Sequence, residues 1–164
     1  MRAFVLGMVL AALVSCTSQD VEPNASPPTR SPKVTEGAPC PVTVPDGSHR
    51  SADSAGLGDQ GFGGDGLWVG LWPNGRARAT DENVNRRGEI EMKFPWDRGI
   101  RGRLDITGRR LDADAPPLRS DVPDYGPTGF QATALIFPTE GCWEVTGTVR
   151  RSSITFVTKV TLID

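Results

Sequence analysis

The chain has 164 residues, with 18 basic and 20 acidic side chains and a formal net charge of −2. That balance creates no strong field toward nucleic acid or an anionic surface, so no nucleic-acid partner is expected. Hydrophobic residues make up 37%, and 19 glycines and 14 prolines are spread among the rest, a composition that argues against a helical bundle.

The first element is an export signal. Arg2 supplies a positive start, and residues 3–14 carry no charge. The run is long enough for the apolar core of a signal peptide and short of the roughly 20 residues that span a bilayer. It ends in Leu13-Val14-Ser15-Cys16. This resembles the lipobox of bacterial lipoproteins, which implies cleavage after Ser15 and acylation of Cys16. At about 0.8 kcal/mol per buried methylene, two or three acyl chains hold a protein on a membrane where one does not. The expected organisation is therefore a signal peptide over 1–15, a lipidated N-terminus and disordered linker rich in Pro, Ser and Thr over 16–39, and a folded domain over 40–164. The expected location is the extracytoplasmic side of a cell membrane or outer membrane, with the membrane as a partner through the N-terminal lipid.

With Cys16 assigned to lipid, Cys40 and Cys142 remain. Outside the cytoplasm a disulfide between them is the economical reading, and their spacing is unlike the close C-x-x-C of redox or metal thiols. Closing a loop of about 100 residues would contribute up to about 4.7 kcal/mol in the chain-entropy model.

Residues 41–65 are rich in Gly, Ser, Pro and Asp and contain GLGDQG at 56–61. This matches the letters of a dinucleotide fingerprint but lacks the preceding strand and following helix that the chemistry requires. From Leu67 the apolar period becomes two. Leu67, Val69 and Leu71 alternate with Trp68, Gly70 and Trp72 until a turn at Pro73-Asn74-Gly75. Ile90, Met92 and Phe94 then alternate with Glu89, Glu91 and Lys93. Further strands are predicted over 100–107, 130–137, 143–149 and 154–163, with a hairpin loop over 150–153 between the last two. Residues 111–127 hold four prolines and no period, and read as a long ordered crossover loop of the kind that carries function on a rigid scaffold. The sum is an all-β fold, an immunoglobulin-like antiparallel β-sandwich, with a small barrel as the alternative.

Chemistry is sparse. His49 is the one histidine and no G-x-S-x-G elbow is present, so no catalytic residue is assigned. Too few His, Cys and Met are available for a copper or zinc centre, and no cofactor is expected; Asp112, Asp114, Asp121 and Asp124 are the candidates for a hard cation. Glu140 and Glu144 are candidate paired carboxylates. The candidate binding surface is formed by Trp68, Trp72 and Trp96, whose rings suit stacking, with Arg98 and Arg101, whose guanidinium groups suit carboxylate or phosphate.

Five phrases, CPVTVPDG at 40–47, LWVGLWPNG at 67–75, MKFPWDRGIRG at 92–102, GRRLDADAPPLR at 108–119 and GFQATALIFPTEGCWEVTG at 129–147, resemble a group of secreted bacterial lipoproteins without an established function. The resemblance implies export and a compact two-cysteine domain. It brings no activity or ligand. Asp97 departs from the pattern, where a second aromatic follows Trp96, and so do Arg150 and Arg151, where the turn contains glycine. The function expected is that of a lipid-anchored binding or accessory protein acting on an envelope polymer or a protein partner, with a small envelope hydrolase using carboxylates as the alternative.

Overall fold

The computed structural model describes residues 39–50 and 57–163. The predicted signal peptide, Cys16 and nearly all of the linker lie outside the described residues. Among the described residues nine strands form two sheets: β1 (Gly61–Gly64), β2 (Leu67–Gly70), β3 (Arg76–Ala79), β4 (Ile90–Arg98), β5 (Asp105–Arg110), β6 (Arg119–Asp121), β7 (Gly129–Phe137), β8 (Gly141–Val149) and β9 (Ser152–Leu162). One sheet has the order β1-β2-β4-β7-β6 and the other β3-β9-β8-β5. The runs β2-β4-β7-β6 and β9-β8-β5 reproduce the A-B-E-D and G-F-C orders of an immunoglobulin-like sandwich.

The period-two pattern explains the packing. On β4, Ile90, Met92, Phe94 and Trp96 point inward and are buried, while Lys93 is exposed. They meet Trp143, Val145 and Val149 of β8 and Phe156 and Val160 of β9 in one core. Aromatic contacts join the sheets: Phe94 stacks on Phe156 with centroids 5.6 Å apart, and Phe137 meets Trp143 edge-on at 5.5 Å. Each such contact adds about 0.5–1.5 kcal/mol beyond the area it buries.

The sandwich differs from a purely antiparallel one at one place. β3 pairs parallel with β9, Arg76 opposite Lys159 through Ala79 opposite Leu162. The turn at 73–75 carries the chain from β2, between β1 and β4 in the first sheet, to the edge of the second, where β3 runs alongside β9. Gly75 is required there, with φ +67 and its Cβ direction blocked 2.3 Å away by the Thr43 carbonyl oxygen. The 111–127 segment is also more than a loop, since β6 in its middle pairs with the edge of β7. Residues 100–104 are irregular rather than strand, and pairing begins at Asp105.

Cys40 and Cys142 form the disulfide, with Cα atoms 5.5 Å apart. It ties residue 40 to β8 instead of joining the two sheets through β4 and β8, as in antibody domains. Beside it, Asp112 accepts from Arg110 Nε at 2.7 Å and Lys159 Nζ at 3.2 Å, linking the end of β5 to β9. Burial alone raises the Asp112 carboxyl pKa. Hydrogen bonds from Arg110, the Cys142 backbone and Lys159 outweigh it, and the net shift is downward. A depressed carboxylate stabilises the fold above its unfolded-state pKa of about 3.9, and that stabilisation is lost as pH falls through the folded value. Asp112→Asn is therefore expected to lower stability by about 1–2 kcal/mol at pH 7. In urea melts the gap between variant and parent should close as pH drops below about 4; an equal gap at pH 2.5 and pH 7 would refute the carboxylate's role.

The β8 to β9 hairpin turns on two residues, Arg150 and Arg151, rather than four. Arg150 has φ +56, which any residue with a Cβ adopts at a cost of about 1 kcal/mol. Arg150→Gly is expected to raise the melting temperature by a few degrees. A fall would mean that Arg150 makes a compensating contact.

Candidate functional site

The tryptophan and arginine residues do not share one face. Trp96 is fully buried on the inner face of β4, and a Cβ on Gly147 of β8 would lie 2.3 Å from its ring. Trp68 and Trp72 are half-buried. Trp68 sits opposite Asp97 on the outer face of the first sheet, and its ring lies 3.3 Å from where a Gly99 Cβ would stand. Trp72 borders a shallow groove of about 270 Å³ with Leu57, Gly70, Lys93 and Pro95. Arg101 is exposed in the loop after β4. Arg98 is 3% exposed and points inward. The candidate surface is thus corrected at Trp96 and Arg98, because strand parity turns both into the sandwich: residues 90, 92, 94, 96 and 98 share a face.

Arg98 instead reaches the larger cavity, about 580 Å³, at one end of the sandwich. Its floor is Arg98 from β4 and Gln131 from β7, diagonal neighbours on the inner face because Trp96 pairs with Gln131 and Arg98 with Gly129. One wall is residues 102–104 from the β4 to β5 loop, with Leu104 buried; the other is residues 122–127, the last part of the predicted crossover loop. Arg98 holds both walls in place. Its Nη1 donates to the Gly102 carbonyl and its Nη2 to the Gly126 carbonyl, each at 2.5 Å. Gln131 Nε2 donates to the Pro123 carbonyl at 2.7 Å. A carbonyl only accepts, so the amide nitrogen must face it and Oε1 is left over.

What these groups lack defines the site. Thr133 and Thr158, also buried, each donate to a backbone carbonyl. Arg98 Nε and Gln131 Oε1 have no partner, and no carboxylate among the described residues forms an ion pair with Arg98. A buried, unpaired charge is costly, because the interior cannot replace the water it lost. Asp124, the one acidic residue lining the cavity, is exposed.

The other candidates are dispersed. His49 is exposed, its Nδ1 donating to the Gly47 carbonyl at 2.6 Å. Glu140 accepts from the Leu162 backbone and Glu144 pairs with Arg109, and neither lines either pocket described above. Asp112 is committed to Arg110 and Lys159. Among the described residues no three His, Cys, Asp or Glu side chains converge to hold a metal ion. Asp97, opposite Trp68, accepts from Arg50 Nε at 3.2 Å and leaves Oδ1 unpaired.

Gln131 is the site residue that sequence reasoning did not single out. Its signal was available as parity: 131, 133, 135 and 137 share the inward face of β7.

No protein-family model and no curated protein matches the chain. Among solved structures, one described as "Anomalous substructure of Titin-A168169" is similar at 15% identity and a TM-score of 0.38, covering 60% of this chain. The match spans 51% of that titin chain, about half its length.

Proposed function

We propose that the protein is a lipid-anchored, extracytoplasmic binding protein whose ligand enters the cavity at the end of the sandwich. The observation that carries this reading is a cavity of about 580 Å³ floored by two buried polar side chains with unpartnered atoms. Ligand sites are commonly concavities of about 300–1,000 Å³, mostly apolar, with a few convergent polar groups. Leu104, Val122, Pro123 and Pro127 supply the apolar part here. The anchor rests on the sequence: Cys16 in its lipobox-like setting and a linker that holds the domain off the membrane.

Two measurements test the reading. Cys16→Ala should abolish labelling by radioactive palmitate and release the protein from membranes; retained labelling would end the lipoprotein assignment. Hydrogen exchange of residues 122–127 should slow when the full chain is mixed with a soluble extract of its own envelope. Val122→Trp, which adds bulk to a side chain lining the cavity, should erase that protection. Equal protection in the variant would place binding elsewhere.

A further inference from the structure

We infer that the ligand is a monocarboxylate with an N–H or O–H donor beside the carboxylate and an apolar body, the carboxylate seated on Arg98 and the donor on Gln131. The inference rests on the cavity reading above and adds the chemistry of the ligand. Three observations lead to it. The first is charge: Arg98 is 3% exposed, lines the cavity and has no ion-pair partner among the described residues. An oxygen anion is the partner a buried guanidinium accepts, through charge-assisted hydrogen bonds.

The second is the sign and number of charges around it. Arg103 is exposed and paired with Asp105, and Asp124 is exposed to solvent, so Arg98 is the one buried charge lining the cavity. A singly charged carboxylate neutralises that one guanidinium, whereas a dianionic phosphate would leave a second charge without a buried partner. The third is Gln131, whose orientation is fixed by the Pro123 carbonyl, so that Oε1 is an unpaired acceptor. It calls for a donor on the ligand. Diagonal neighbours on a sheet face stand about 7–8 Å apart at their backbones, close enough for their long side chains to meet adjacent atoms of one small molecule.

N-acetyl-leucine has all three parts: a carboxylate, the neighbouring N–H and an aliphatic side chain. Titrated into the ¹⁵N-labelled full chain, it should cause saturable shifts at the Arg98 Nε–H, the Gln131 side-chain amide and the backbone of 122–127. Its neutral analogue N-acetyl-leucinamide should bind at least tenfold more weakly. Arg98→Met should reduce N-acetyl-leucine to the affinity of the amide. Because Arg98 also holds two loops, Gln131→Met provides an independent arm. That variant should weaken N-acetyl-leucine about three- to tenfold and leave 4-methylpentanoate, which lacks the N–H, unchanged. Equal binding of acid and amide, or tighter binding of inorganic phosphate, would overturn the carboxylate assignment and leave the cavity as the site. No shift with any probe, while the envelope extract still protects 122–127, would have the same meaning. No shift and no protection would overturn both.

Discussion

Replacing Cys40 and Cys142 together by alanine is expected to lower the stability of the domain by about 4 kcal/mol, the largest effect of any two-residue change considered. The bond spans 102 residues, and in the chain-entropy model the gain comes from restricting the unfolded chain, which grows with loop length. Alanine is the right replacement because Cys142 is fully buried and a serine there would bury a hydroxyl, confusing the entropic effect with an unsatisfied polar group. The native contacts of the segment survive the change in part. Thr43 N–H donates to the Val157 carbonyl, and the Val157 N–H to Thr43 Oγ1, so residues 42–43 retain a hold on β9 without the bond. Urea melts of the oxidised, reduced and double-alanine proteins should therefore show a large shift in midpoint with cooperative unfolding kept. A small domain has about 5–15 kcal/mol in all, so a loss of this size brings the reduced protein close to unfolding at growth temperature. Coincident melts of oxidised and reduced protein would show that the bond contributes nothing.

The disulfide was legible because cysteine arithmetic is discrete: with one thiol assigned to lipid, two remain. Alternation was equally legible where it was written in large apolar residues, as in Ile90, Met92 and Phe94 or Trp143, Val145 and Val149, all buried as their parity demands. It failed where the inward residue was not apolar. β4 continues past Pro95 because pairing with β2 stops at Trp96, so the missing N–H falls at the end of that ladder. Beyond it, Asp97 and Arg98 have the composition of solvated charge, yet Arg98 holds the inward parity begun at Ile90. Composition and period gave opposite answers there, and the period was right. β3 was missed for another reason: its inward residues are Ala77 and Ala79, too small to register as an apolar stripe although both are fully buried. β1 is glycine-rich and held chiefly by its backbone ladder with β2, a feature no side-chain pattern announces. The end cavity needed residues from three separated segments, and only the fold brings Arg98, Leu104 and Gln131 together.

Gly147→Ala is expected to cost about 1–3 kcal/mol, and most of that loss should be recovered in combination with Trp96→Phe. Gly147 is on β8 of one sheet and Trp96 on β4 of the other, and an added Cβ would come within 2.3 Å of Cη2 and 2.4 Å of Cζ3 of the indole. The ring cannot retreat easily, because it is fully buried and lies 6.2 Å, centroid to centroid, from Phe156. A methyl at 147 must therefore force the sheets apart or push Trp96 off its rotamer, and both disturb a close-packed core. Removing the six-membered part of the indole by Trp96→Phe opens the space that the methyl needs. It also removes a buried Nε1–H that has no partner, so the single Trp96→Phe variant should lose less than the volume deleted would suggest. Urea melts of the two singles and the double give a coupling energy, expected to be about 1 kcal/mol or more in favour of the double. Strictly additive losses would mean that the sheets accommodate the methyl without involving Trp96. The same contact bears on the end cavity, since Trp96 is directly opposite Gln131 in the β4 to β7 register. Displacing Trp96 should shift the Gln131 side-chain amide resonance in Gly147→Ala and restore it in the double variant, linking the packing of the sandwich interior to the floor of the cavity.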